Sequence, residues 1–168
     1  MNIRPSHFGF SGRLLLAASL FIPSLLHAEA PLGKPADNHI YAQQLVNELA
    51  RANPDVILIG IHAIPPGGGE ERMIACTHEL IGEKDDEGDL TVVSLQQTVL
   101  APNLKDAHKY RVYLPLKDRA GKSIGLLTLN FLNDPRFDET HYCTRAVALR
   151  NAVAQRTLGL AALFAATP

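Results

Sequence analysis

Residues 110 to 132 spell out a β-hairpin, and that hairpin restricts the folds open to the rest of the chain. Tyr110, Val112, Leu114 and Leu116 alternate with Arg111, Tyr113 and Pro115. Asp118-Arg119-Ala120-Gly121-Lys122 follows as a turn, and Ile124 to Leu132 returns as an almost unbroken apolar strand. Alternation at period two puts successive side chains on opposite faces of a strand, and an Asp/Gly-bearing turn joins antiparallel neighbours. An antiparallel sheet must therefore be present, with one face of this hairpin in an apolar core.

The flanking segments supply its partners. From Ala36 to Asn53, Ile40, Tyr41, Leu45, Val46 and Leu49 recur at three- and four-residue spacing, with Asp37 or Asn38 as N-cap and Pro54 as the stop. This is an amphipathic helix. Val56 to Ile64 is an aliphatic, β-branched run broken by Pro65-Pro66-Gly67-Gly68-Gly69, and Arg72 to Glu79 is its returning strand, which makes a hairpin with a wide turn. Gly82 to Asp89 reads as an acidic loop, and Leu90, Val93 and Leu95 to Leu100 as one or two short helical turns before Pro102. Asp138 caps a long C-terminal helix to Ala166, with Phe137 placed to staple onto Tyr142. Helices at both ends of an antiparallel sheet make an α+β domain.

The N-terminus carries a different kind of signal. Arg4 and Arg13 form a basic region, Leu14 to Leu26 an apolar run too short to span a bilayer, and Ala28 a small residue suited to cleavage. Residues 1–28 are expected to be a secretory signal peptide, and residues 29–168 a single exported domain, periplasmic or secreted. With 46% hydrophobic and 20% charged residues the chain has the composition of a globular protein. It carries 16 basic and 17 acidic residues, and loss of Arg4 and Arg13 with the leader widens the acidic excess. Nucleic acid and anionic membrane surfaces, which need a basic face, are excluded as expected partners. The most apolar stretch after the leader, Leu158 to Ala166, is far short of a membrane span, so the mature protein is not expected to be membrane-embedded.

Residues 112 to 127, Val-Tyr-Leu-Pro-Leu-Lys-Asp-Arg-Ala-Gly-Lys-Ser-Ile-Gly-Leu-Leu, resemble the closing hairpin of extracytoplasmic PAS-like sensor domains of the Cache type. Ile74-Ala75-Cys76-Thr77-His78-Glu79-Leu80-Ile81-Gly82 is similar to the strand that leads into the Ile-Gly loop of the same domains. The likeness covers roughly residues 37 to 165 in element order, although its recognisable residues lie in the two hairpins. It implies a PAS-like antiparallel sheet flanked by N- and C-terminal helices. It also implies a small-molecule pocket between the sheet and the short helices of the middle segment. Cache domains usually sit between two transmembrane helices of a receptor; this chain shows no such pair, so a signal would pass by contact with a membrane receptor or transporter.

The chemistry-bearing residues are few. Cys76-Thr77-His78 and His141-Tyr142-Cys143 each pair a thiol with an imidazole. Two cysteines in an exported protein most often form a disulfide, and closing the long loop between Cys76 and Cys143 would contribute on the order of 4 kcal/mol in the chain-entropy model. Free buried thiols, or a zinc, copper(I) or haem site built from Cys76, His78, His141 and Cys143, are the alternatives. His62 alternates onto the face of Val56, Leu58 and Ile64, where it either packs with a satisfied hydrogen bond or lines a cavity. Tyr110 and Tyr113 point to opposite faces, so one of them is placed to reach a pocket. His62, His78, Tyr110 and Tyr113 are thus the candidate ligand-binding residues.

Asp85, Glu87 and Asp89 resemble a calcium loop only in part, since Gln96 stands where the closing glutamate belongs, and they read as a solvated loop. Gly67-Gly68-Gly69 lacks the Lys-Ser/Thr of a phosphate loop. No nucleophile elbow or zincin pair is present, and no cofactor is assigned. The expected function is a periplasmic small-molecule-binding or sensor module rather than an enzyme, and the alternative is a haem, metal or redox protein using the Cys/His pairs.

Overall fold

In the computed structural model, which describes residues 39–102 and 106–167, the elements run α1 (Tyr41–Ala52), β1 (Val56–Ala63), β2 (Arg72–Cys76), α2 (Glu87–Leu95), β3 (Val99–Pro102), β4 (Lys109–Lys117), β5 (Ser123–Leu132), α3 (Glu139–Arg156) and α4 (Leu160–Leu163). The leader read at residues 1–28, its cleavage site, and Asp37 and Asn38 lie outside the described residues. Among the described residues no helix is long and apolar enough to cross a membrane. The strands form one antiparallel five-stranded sheet in the order β2-β1-β5-β4-β3. This is the expected α+β class, a PAS-like sheet flanked by helices.

The β4–β5 hairpin closes as its residues dictate. Asp118, buried, accepts from the amides of Ala120 and Lys122 through Oδ1, both at 2.9 Å, and Gly121 takes the positive φ of 83° that the turn needs. Its register places Val112 opposite Leu129 and Leu114 opposite Leu127 on one face, and Tyr113 opposite Thr128 and Arg111 opposite Asn130 on the other.

The first of these faces builds the core. Ile59 and Ile61 of β1 continue it across the sheet, and Leu45 and Val46 of α1, Ala146, Leu149 and Val153 of α3, and Leu163 of α4 close over it. A fully buried aliphatic side chain contributes roughly 1.5–3 kcal/mol, so this layer supplies most of the driving force for folding. The open edge of β2 is covered from the same side. Gln43 donates to the Cys76 carbonyl at 2.9 Å and accepts from the Cys76 amide at 3.0 Å, occupying groups that would otherwise invite another strand.

Four local expectations are corrected. α1 starts at Tyr41 behind an N-cap Ile40 with no capping side chain; the Tyr41 amide donates instead to Ala165 O, and Ile40 pairs with Ala166. Val99–Pro102 is a strand, not helical turns, because β4 offers it an unpaired edge. The C-terminal helix ends at Arg156 and α4 follows as a separate turn, since the Thr157 carbonyl is taken by the Arg119 amide and the Gln155 carbonyl by Arg119 Nε. Asp138 does cap α3, accepting from the His141 amide at 2.9 Å, but Phe137 stacks on His141 at 3.8 Å while Tyr142 stacks on Tyr110 at 4.5 Å.

Candidate ligand-binding site

The second face of the sheet carries polar side chains under a cover made by α2 and the segment before it. Leu58, Gly60 and His62 of β1 lie beside Asn130, Thr128 and Leu126 of β5, which lie beside Arg111, Tyr113 and Pro115 of β4. His62 therefore shares a face with Leu58 but not with Val56, which is paired with Phe131 in the core; an irregularity between Val56 and Leu58 switches the alternation. β1 ends at Ala63, so Ile64 falls outside the strand and is exposed.

His62 is the anchor of this face. Its Nδ1–H donates to Asp85 Oδ1 across 2.6 Å, and in the neutral ring Nε2 accepts from the Thr128 hydroxyl at 3.2 Å. The Asp85 side chain is only 1% exposed, although it stands in an acidic run. Sequence reasoning placed that run in solvent; the imidazole on β1 draws one carboxylate inward instead. Asp86 then caps α2 by accepting from the Asp89 amide at 3.0 Å, and Asp89 returns the bond to the Asp86 amide, so a capping box fixes where Asp89 stands. Ligand atoms of His62, Asp85 and Asp89 all lie within 4.8 Å of one another.

The His62 end of this face is acidic. Burial first, then Asp85, raises the Glu71 carboxyl above its ordinary range, and burial likewise raises Asp89. Lys84 turns away to Glu70 at 2.5 Å. Gly60 adds space beside the imidazole: a Cβ there would stand 3.6 Å from His62 Nε2 and 3.1 Å from the flexible end of Met73.

Buried polar atoms without partners mark the same face. Among the described residues four side-chain atoms are buried without a hydrogen bond: Asp85 Oδ2, Asn130 Oδ1 and Arg111 Nε on this face, and the Tyr110 hydroxyl on the core face; the Arg111 guanidinium otherwise reaches the Tyr113 hydroxyl through Nη1 at 3.4 Å. A buried polar group left unpaired costs about 1–3 kcal/mol, which a bound molecule can recover.

The sequence-derived candidates divide between the two faces. His62 and Tyr113 lie on the polar face. Tyr110 does not: it is stacked between the sheet and α3 on Tyr142, where its ring is core. His78 stands beyond the end of β2, with Nδ1 3.0 Å from the Thr77 hydroxyl, apart from the His62 cluster. Thr128, Asn130 and Arg111 escaped the sequence reading. Their signal was polar residues at period two within strands that are otherwise apolar.

The expected Cys76–Cys143 disulfide is corrected as well. Both cysteines are free, Cys76 buried at the end of the edge strand and Cys143 half-buried in the first turn of α3. α3 packs over β4 and β5, and β5 is already two interstrand spacings, roughly 10 Å, from β2. A disulfide requires Cα atoms within roughly 7 Å. The same separation keeps Cys76, His78, His141 and Cys143 from forming one metal or haem site, and among the described residues the metal-competent cluster is His62, Asp85 and Asp89.

No family model matches the chain, and no curated protein matches it in sequence. Among solved structures it is similar to a protein described as a GAF sensor from Burkholderia vietnamiensis, at 16% identity and a TM-score of 0.53 over 72% of this chain and 76% of that one. It is also similar to a GAF domain at 12% identity and a TM-score of 0.48, over 73% and 80% of the respective chains. At 16% identity the likeness to the first is one of fold, a PAS-like antiparallel sheet with flanking helices.

Proposed function

We propose that this protein is an extracytoplasmic sensor module that binds a small polar molecule on the α2-covered face of its sheet and reports the binding by contact to a membrane receptor or transporter. The observation that carries this reading is the set of orphaned groups on that face: a donor at Arg111 Nε and acceptors at Asn130 Oδ1 and Asp85 Oδ2. A ligand with both donors and acceptors would satisfy those at Arg111 and Asn130. The likeness to a GAF sensor and the resemblance of the two hairpins to Cache domains support the sensor role, and the leader-like N-terminus supports export. The reading is of a binding module rather than an enzyme.

A thermal-shift screen of small polar metabolites against the exported protein tests it. A true ligand at about a hundred times its Kd stabilises by about 2.7 kcal/mol, a Tm rise of roughly 10 °C for a domain of this size. The shift must vanish in Arg111→Gln. A ligand that shifts wild type and Arg111→Gln equally binds elsewhere and contradicts the proposal.

A further inference from the structure

From the convergence of His62, Asp85 and Asp89 we infer that the protein holds a divalent first-row transition-metal cation, with Zn2+ as its natural probe, between β1 and the N-terminus of α2. This builds on the reading of the α2-covered face as the binding face and names the ligand class for one end of it.

The acidic residues alone would not carry the inference. The Asp85 side chain does: 1% exposed, it spends Oδ1 on His62 and has no partner for Oδ2. A carboxylate oxygen shut away from water and unpaired is a costly arrangement unless a cation or donor sits beside it. The cluster's ligand atoms, within 4.8 Å of one another, are close enough for a single ion to draw together. Asp89 commits Oδ2 to the Asp86 amide at 3.3 Å, which leaves its other oxygen for the ion.

The donor set selects the metal class. One imidazole with two carboxylates suits Zn2+ or Mn2+; the absence of a thiolate disfavours copper(I), and the imidazole disfavours Mg2+ and Ca2+, which prefer all-oxygen sets. Thr128 completes the arrangement. With Nδ1, the ring nitrogen facing Asp85, given to the ion, the ring proton sits on Nε2 and donates to the Thr128 hydroxyl, the outer-shell bond that orients a ligating histidine. The two ligand carboxylates, Asp85 and Asp89, balance the dication's charge.

The test is Zn2+ titration of the full exported chain after chelator treatment, followed by calorimetry and by metal analysis after equilibrium dialysis. Wild type should take up about one equivalent, with Mg2+ weaker by roughly tenfold or more. Asp85→Asn, His62→Gln and Asp89→Asn should each weaken Zn2+ by roughly tenfold or more, whereas His141→Gln, half-buried in the first turn of α3 and apart from the cluster, should leave affinity unchanged. Asp89→Asn is decisive if changes at the buried His62 or Asp85 prevent folding, because Asp89 is half-exposed and asparagine keeps the cap. No saturable uptake, or equal affinity in wild type and Asp89→Asn, overturns the inference. Zn2+ failing while an Arg111-dependent organic ligand persists removes the cation alone; failure of both removes the binding face.

Discussion

A Cβ built on Gly125 would stand 2.0 Å from the carbonyl oxygen of His62 and 3.3 Å from the Cα of Ala63. Bare backbone at Gly125 is what lets β5 approach β1 where His62 is held, and its φ of 152° is one that other residues rarely adopt. Gly125→Ala should therefore destabilise by on the order of 3 kcal/mol, strain and overpacking together. Gly60→Ala crowds the movable tip of Met73 at 3.1 Å and meets His62 Nε2 at an ordinary contact of 3.6 Å, so it should cost far less. Denaturant midpoints measure both; equal losses would mean that the close approach is not rigid.

The two tyrosines of β4 should separate stability from binding. Tyr110→Ala removes a core ring stacked on Tyr142 and should cost about 3–5 kcal/mol. Tyr113→Ala lies on the polar face, half-buried, and should cost less while weakening any ligand that reaches Arg111. Unfolding curves paired with ligand-induced Tm shifts decide the matter, and a larger stability loss at Tyr113 would reverse the assignment of faces.

With both thiols free, a reductant should leave the Tm unchanged. Burial pushes the Cys76 thiol above its ordinary range, so alkylation of the native protein should label Cys143 first. Peptide mapping after brief iodoacetamide treatment reports this directly. Resistance of both thiols to alkylation even in denaturant, lifted by reductant, would restore the disulfide.

Burial, followed by the charge of Lys109, holds the His78 imidazole below its ordinary range. The unfolded chain then takes up a proton near pH 6.5 that the folded state resists. The stability contribution is present above that pH and is lost as pH falls towards the folded value. Stability measured from pH 7.5 down to 5 should fall less in His78→Gln than in wild type. Identical profiles would assign the acid sensitivity to other groups.

How far these features could be read from the chain depended on whether their causes were local. The β4–β5 hairpin was legible because its alternation, Asp118 and Gly121 all act within a few residues. Val99–Pro102 was not, since a short apolar run becomes a strand only when β4 presents an edge. The end of α3 is set by Arg119, far back in the chain, and so leaves no mark in the helical pattern. At the site, His62 stood out by type, but Asp85 looked like its solvated neighbours because its burial depends on a residue on another element. The bulge after Val56 hid which face His62 shares, and Arg111, Thr128 and Asn130 acquire meaning only when β1, β4 and β5 lie side by side.

Native mass spectrometry of the protein isolated from cells, with no ligand added, tests the central claim most directly. The account predicts that wild type carries a non-covalent mass above that of its polypeptide. An Arg111→Gln/Asp85→Asn double variant, folded by circular dichroism, should fly at its bare mass. Bare mass in wild type as well, or the same adduct retained in the double variant, would contradict the assignment of the α2-covered face as the binding site.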